Sequence, residues 1–263
     1  MINGLLHALV LDEKGGAHAI ENTRDLNNWH PSQGKLWIHM DYSQSEAVTW
    51  LKSQAHLTDF ELDSLIADET RPRLTPSTNG HMLFLRGVNL NPAQSPEDMV
   101  SIRLFISESV VITTRKRRLL SIQDILAELN AGHGPCSISE LVGSITQKLT
   151  SRMQSVIDTL DETLDEFEEE IDEPSKKFDN QGLSQLRRQT IALKRYLKPQ
   201  KEALSLMVNN HYPWLLDEDK AKLNETTNLL IRYLEELDSA IERAQIIQQT
   251  ITNQVSEQLN QRM

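Results

Sequence analysis

The chain has 263 residues, of which 38% are hydrophobic and 25% charged, so it can bury one large core or two smaller ones. Its net charge of -11 argues against a general nucleic-acid binder, and its single cysteine, Cys136, excludes an internal disulfide framework and fits a reducing compartment. The sequence has no run of about 18 apolar residues, and its amino terminus lacks the basic start of a signal peptide.

Short strand-like segments are frequent up to about residue 137. They are rich in β-branched and aromatic residues, which favours extended structure. Gly15 and Gly16 are expected to turn a hairpin between the first segment and residues 17–20. The predicted strands are residues 5–12, 35–42, 81–90, 100–106 and 109–115.

Helical spacing of apolar residues occurs between these strands. It predicts helices over residues 43–54 and 59–68, the first of them capped by Ser45. A third helix is predicted over residues 121–129, with Ser121 as its cap. Strands and helices that alternate in this way indicate a mixed sheet with flanking helices.

A glycine- and proline-containing linker at residues 130–139 divides the sequence. Before it, we expect a domain of α/β character, residues 1–137, built on the mixed sheet. From Glu140 onward, apolar residues recur at helical spacing to the end of the chain. The predicted fold class is therefore α+β, with an all-helical second domain over residues 138–263.

Long helices are predicted throughout the second domain. The first carries an apolar stripe from Leu149 to Ile171, and the second contains Pro199, which predicts a kink or a local break. The last helix begins near Asp217 and forms a very long C-terminal stalk. Its apolar seam has a heptad-like spacing that suits packing on other helices. The seam residues are Leu230, Leu234, Leu237, Ile241, Ala244, Ile251 and Val255.

A polar stripe lies on the opposite face of the last helix. Its members are spaced at helical intervals, so they share one side. One interpretation is a plain solvated face, although such faces usually carry lysine and glutamate. In copies arranged around an axis, the stripe would instead form a neutral column through which a hydrated cation passes without being trapped. The stripe comprises Glu242, Gln249, Asn253, Ser256, Asn260 and Met263.

An acidic run covers residues 158–173, with ten carboxylates and no lysine or arginine. Its self-repulsion must be offset. One interpretation is an antiparallel hairpin with the next helix, which carries eight cations between Lys176 and Lys201. The other is a surface that concentrates cations near a pore mouth. The cation-attracting candidates are Asp158, Asp161, Glu162, Asp165, Glu166 and Glu169.

Other candidate sites are weak. His133 and Cys136 lie in the linker, but zinc normally takes three or four protein ligands, and Glu242 and Glu257 are further weak candidates. The four consecutive cations at residues 115–118 could contact phosphate, although a solvated strand end is the simpler interpretation. Neither a phosphate-binding loop nor a nucleophile elbow occurs, so we expect no enzyme and no covalent cofactor.

Several sequence stretches, spread over nearly the whole chain, carry a family resemblance. Together with the acidic and basic helices and the long last helix, they resemble the cytoplasmic part of the CorA-type divalent cation transporters. Within that family they are most similar to the ZntB-type zinc transporters. The stretches are LWIHMDY (36–42), ETRPRL (69–74), FLRGVNLNP (84–92), ITTRKRRLLSIQDI (112–125), LKRYLKPQKEAL (193–204) and YPWL (212–215).

The resemblance implies a homopentamer at the cytoplasmic face of the bacterial inner membrane. The long helix would line a central funnel and continue into the first of two membrane spans. Nothing in the final residues NQVSEQLNQRM ends a helix, so we expect the chain to stop before that span. Asn260 and Met263 would be a pore-lining pair, with Gln249, Asn253 and Ser256 continuing that face. Zinc or other divalent cations would be the transported or bound ions.

Three functions are therefore weighed. The favoured one is a cytosolic funnel domain that guides hydrated cations at the pore mouth of a zinc transporter and could also sense them. A CorA-like magnesium channel domain is the first alternative. The second is a soluble coiled-coil scaffold that binds partner proteins, in which case the polar stripe merely faces water.

Overall fold

A mixed sheet forms the first half of the chain, and long helices form the second. The computed structural model describes residues 2–171 and 178–262, with side chains described as far as residue 260. This architecture confirms the predicted α+β fold class. The strands are β1 (Leu5–Leu11), β2 (Ala17–Ala19), β3 (Lys35–Asp41), β4 (Arg73–Pro76), β5 (His81–Gly87), β6 (Val100–Ile106) and β7 (Val110–Arg115). The helices are α1 (Thr23–Asn27), α2 (Ser45–Gln54), α3 (Asp59–Ile66), α4 (Leu120–Asn130), α5 (Ile138–Ser151), α6 (Gln154–Ile171), α7 (Asn180–Asn209) and α8 (Asp217–Arg262).

The strands of the described chain lie in the order β2-β1-β3-β7-β6-β5-β4. Strands β3 and β7 pair in parallel and the other neighbours run antiparallel, so the sheet is mixed as predicted. Side chains alternate between its two faces. Ile38 and Met40 pack with α1, α2 and α3 on one face, whereas Trp37 joins the core beneath the later helices on the other.

The predicted hairpin is confirmed, but the two predicted serine caps are wrong. Helix α2 begins at Ser45 itself, because Asp41 accepts hydrogen bonds from the backbone and hydroxyl of Ser43 and sets the preceding turn. Helix α4 begins at Leu120, and Ser121 is buried inside its first turn. Its cap position is held by Leu119, whose side chain fills the core.

The predicted first long helix is divided into α5 and α6 at residues 152–153. The hydroxyls of Thr146 and Thr150 donate to carbonyls four residues earlier, which favours bending, and Arg152 is held to Asp124 of α4 at 2.8 Å. A kink or a local break was predicted at Pro199; helix α7 continues through this residue, so there is no break. Its apolar face is buried against α8 and the sheet, and this packing offsets the lost backbone bond.

Two lines of buried residues, each repeating every seven positions, hold α8 against α5, α6 and α7. The predicted seam contains the first line correctly but misplaces the second by one residue: Leu234 and Ile241 are half-buried, and Val255 is 51% exposed. The first line is Leu223, Leu230, Leu237, Ala244 and Ile251, and the second is Thr226, Tyr233, Ala240 and Ile247.

A buried polar cluster lies where β3 meets β7. Trp37 Nε1 donates to Thr113 Oγ1 at 2.9 Å, and Thr113 Oγ1 donates to the carbonyl of Ile38 at 3.1 Å. The hydroxyl proton is thereby used, so His39, whose Nδ1 lies 2.7 Å from the same oxygen, must donate from Nδ1. Burial, aided by the nearby charge of Arg115, lowers the pKa of His39 to about 3.

We predict that His39 makes the protein lose stability as the pH falls. The unfolded chain protonates this histidine near pH 6.5 and the folded chain only near pH 3, so the unfolded state binds more protons between these values. His39 should therefore contribute a loss of up to about 1.4 kcal/mol per pH unit in this window. Urea titrations from pH 7 to pH 4 should give a shallower pH dependence for His39→Gln. The control is His133→Gln, at an exposed histidine, which should keep the pH dependence of the wild type. If His39→Gln also keeps that pH dependence, the burial argument is wrong.

Candidate cation pathway

The protruding end of α8 presents the polar stripe to solvent. Gln249, Asn253, Ser256 and Asn260 are exposed and lie on one side of the helix. Within the described residues, their side chains make no hydrogen bond to protein groups, so they are free to bind water. The predicted Met263 lies outside the described residues.

Exposed apolar side chains flank the polar stripe. Val255 and Leu259 lie on one flank and are 51% and 59% exposed, and Ile246 lies on the other flank, 61% exposed. Within the described part of the molecule, every side chain from residue 252 to 260 is exposed. The end of α8 therefore combines a neutral polar face with apolar edges that no described residue covers.

The acidic run lies on α6, which packs against α8. Arg243 of α8 contacts three of its carboxylates: Asp161 at 2.6 Å from Nη1, Asp165 at 2.5 Å from Nη2 and Glu168 at 2.7 Å from Nε. Hydrogen bonding to Glu168, with help from Asp165, raises the pKa of Arg243 above its ordinary value. One guanidinium thus offsets much of the self-repulsion along α6.

The expected charge pairing between α6 and α7 is not found within the described residues. Both helices instead form ion pairs with α8: α6 with Arg243, and α7 through Lys194 with Asp238. This follows because both helices pack on the apolar seam of α8. Lys176 and Lys177 lie outside the described ranges. Sequence reasoning missed Arg243, although it is the only cation between residues 233 and 261.

The six candidate acids of α6 are all exposed but differ in their contacts. Asp161 and Asp165 are held by Arg243, and Asp158 accepts a hydrogen bond from Gln154 at 2.6 Å. The other three make no ion pair to any residue that the structure describes. They are Glu162, Glu166 and Glu169.

The weak metal-ligand candidates are not brought together. Burial and the adjacent Glu140 raise the pKa of the Cys136 thiol, which disfavours the thiolate that metals require, and His133 is exposed. Glu242 and Glu257 are about 22 Å apart along α8. Across the described residues, no group of three histidine, cysteine, aspartate or glutamate side chains could hold a metal ion.

Known proteins with the same sequence pattern are transporters. A family model described as CorA-like Mg2+ transporter protein matches residues 32–263. The chain belongs to the CorA family of divalent cation transporters. It is therefore a transporter-family protein and not an enzyme. Within the described ranges, no helix combines the length and apolarity that crossing a membrane requires.

Individual relatives in the family carry different names. The divalent cation transporter CmaX of Pseudomonas aeruginosa is 37% identical over 99% of this chain and 79% of its own length. The zinc transport protein ZntB of Pectobacterium carotovorum is 33% identical over 99% of this chain and 78% of its own.

Solved structures confirm the similarity. The structure of full-length CmaX superposes with a TM-score of 0.92 at 37% identity, covering all of this chain and 81% of that one. The crystal structure of the ZntB cytoplasmic domain from Vibrio parahaemolyticus gives 0.84 at 25% identity, covering 97% of this chain and 99% of that one. The chain thus matches a cytoplasmic domain of a CorA-family protein over nearly its whole length.

We predict that Arg243→Met lowers the free energy of unfolding by about 1–2 kcal/mol at low salt, because three partly exposed carboxylates lose their shared cation. The loss should shrink in 1 M NaCl, which screens their repulsion. Urea titration at both salt concentrations would measure it. Arg232→Met is a control on the same helix, since the one ion pair of Arg232 among the described residues, with Glu236, is long at 3.6 Å. Equal losses in the two variants would contradict the role of Arg243.

Proposed function

We propose that this chain is the cytosolic funnel domain of a homopentameric zinc transporter and guides hydrated cations to the pore mouth. The observation that carries the proposal is the exposed, uncharged stripe at the end of α8. Its support is the family membership of the chain and its similarity to proteins named ZntB.

The chemistry of the stripe suits passage better than capture. Amide and hydroxyl groups of Gln249, Asn253, Ser256 and Asn260 exchange hydrogen bonds with the water shell of a cation. A ring of carboxylates in the same place would hold a divalent ion tightly. A column of neutral groups would therefore let a hydrated cation move on.

The flanks of the stripe suit a cyclic assembly. If the stripe faces the axis, Leu259 of one copy, about 90° round the helix from the stripe, points sideways towards the neighbouring copy. Such a head-to-tail contact closes into a ring when the rotation between neighbours is right. It would bury the apolar side chains that a single chain leaves exposed.

The free carboxylates of α6 would raise the cation concentration near the assembly. Glu162, Glu166 and Glu169 are exposed and unpaired among the described residues, and the chain as a whole carries a net charge of -11. Attraction of this kind is long-ranged, weak and sensitive to salt. It concentrates ions without binding them at one site.

We further propose two domains, residues 1–137 and 138–263. The sheet with α1–α4 would form the first domain, and α5–α8 the second. Their cores are continuous, since buried residues of β5 and β6 join those of α5 and α7 in one cluster. The first domain would therefore act as a rigid base for the stalk helix.

A magnesium channel is the second candidate function. The description of the matching family model names Mg2+ as the transported ion, and the relative at 37% identity is named only as a divalent cation transporter. The stripe is compatible with either ion, because it meets the hydration shell and not the bare metal. The third candidate, a soluble coiled-coil scaffold, is disfavoured because the chain belongs to a transporter family.

We predict that the full product of the native gene takes up zinc in preference to magnesium. Uptake of radioactive zinc into proteoliposomes should exceed that of magnesium at equal concentration, and excess magnesium should compete poorly. Preferential magnesium uptake would favour the second candidate. Absence of uptake for both ions would contradict the transport proposal itself. Empty vesicles and the Asn253→Arg variant, which adds a charge to the stripe, serve as controls.

A further inference from the structure

A cleft of about 540 Å³ is lined by residues outside the polar stripe. It lies between α7 and the ends of β5 and β6, and the segments 68–69 and 97–101 complete its wall. Strand register explains why cations meet there. Arg86 pairs with Ser101, and Arg103 lies two residues further on, so both arginines extend from the same face of the sheet. The cationic residues that line the cleft are Arg86, Arg103, Lys116, Arg117 and Arg195.

Arg103 is buried with part of its guanidinium unused. The residue is 1% exposed, and only Nη2 is engaged, by the carbonyls of Ala67 and Asp68 at the end of α3. Its Nε and Nη1 have no hydrogen-bond partner among the described residues. The guanidinium lies over the ring of Tyr42, 4.6 Å from its centroid. Two buried donors without a partner among the described residues are costly, and an anion that reached them would satisfy them.

Arg86 and Arg195 are arranged around one tyrosine. Arg86 donates to the carbonyls of Thr70 and Met99 at 2.7–3.1 Å, and its guanidinium stacks on Tyr196 at 4.2 Å from the ring centroid. Arg195 is exposed at the rim of the cleft and packs against the same ring at 4.8 Å. The backbone carbonyls therefore fix Arg86. Arg195 is held by Tyr196, to whose hydroxyl its Nη2 donates at 2.9 Å, and its other donors remain for a ligand.

Carboxylates neutralise this cleft only in part. Asp68 forms an ion pair with Lys116 at 2.9 Å. Among the described residues, no carboxylate lies within ion-pair distance of the other four cations. Glu69, Glu97 and Asp98 also line the cleft, and the charge of Glu69 acts on Arg86 from beyond ion-pair distance. The chain as a whole has a net charge of -11, so four guanidinium groups without an ion-pair partner around one cavity are unusual and indicate an anion site.

We propose that this cleft binds a phosphate group, either as the free ion or as part of a small phosphorylated ligand such as a nucleotide. Guanidinium groups match phosphate oxygens in geometry and charge, and several donors can bind one group. Arg103 is the inner donor and Arg195 the outer one. The run of cations at residues 115–118 contributes Lys116 and Arg117 to the opening of the cleft. The ligand would connect α7, which packs on the stalk helix, to the sheet.

The test is calorimetric titration of the whole chain with inorganic phosphate in a chloride buffer of constant ionic strength, with EDTA present. A second titration uses ATP under the same conditions. We expect saturable binding of phosphate, and tighter binding of ATP if the cleft also holds the rest of a nucleotide. Equal affinity for the two would indicate that the phosphate group alone is recognised.

Two variants locate the site. Arg103→Met should weaken phosphate binding at least about tenfold, yet keep or raise the melting temperature without phosphate, because an unsatisfied buried charge is removed. Arg195→Gln should weaken binding about three- to tenfold. The control is Arg188→Gln, an exposed arginine two turns earlier on α7 and outside the cleft, which should bind as wild type.

The proposal is wrong if phosphate shows no saturable binding at 10 mM, on the order of the weak affinities expected of such a site. It is also wrong if Arg195→Gln and Arg188→Gln bind phosphate equally well. Should Arg103→Met fail to fold, the comparison of these two exposed variants still decides the matter. None of these variants alters the polar stripe, so zinc uptake tests the proposed function separately.

Discussion

The apolar seam of α8 is the constraint on which the rest of the structure depends. A helix of 46 residues extends about 69 Å and gains most of its stability from packing along its length. Helices α5, α6 and α7 cover its two buried lines from Leu223 to Ile251. Beyond Ile251 the described side chains are exposed, and the apolar Val255 and Leu259 are among them. The seam thus divides α8 into a docked part and a protruding part.

The docked and protruding parts of α8 differ in the charged groups around them. Docking α6 on α8 brings three carboxylates to Arg243 and leaves Glu162, Glu166 and Glu169 without an ion pair among the described residues. The protruding part of α8 carries uncharged polar groups along the proposed ion path. Arginines collect instead in the cleft between the sheet and α7. An acidic chain can in this way present separate surfaces to cations and to anions.

Sequence patterns predicted those features that depend on neighbouring residues. The strand at residues 100–106 and the start of α8 near Asp217 were placed correctly, because alternation and helical periodicity are local signals. The seam was misplaced at Leu234 and Ile241, because neighbouring helices decide which of two adjacent apolar lines is buried. Tertiary contacts that join distant residues, such as Arg243 to α6, carry no periodic signal. The cleft around Arg103 needs the register of β5 and β6, which the sequence alone does not provide.

The most direct test of the central claim is cysteine accessibility at the end of α8 during zinc uptake. In a Cys136→Ser background of the full gene product, a cationic thiol reagent on the cytosolic side should block uptake by Ser256→Cys. It should spare Gln258→Cys, which lies about 200° away around the helix at 100° per residue. Block at Ser256 alone is the result that the polar ion path predicts. Block at Gln258, or at neither position, would contradict it.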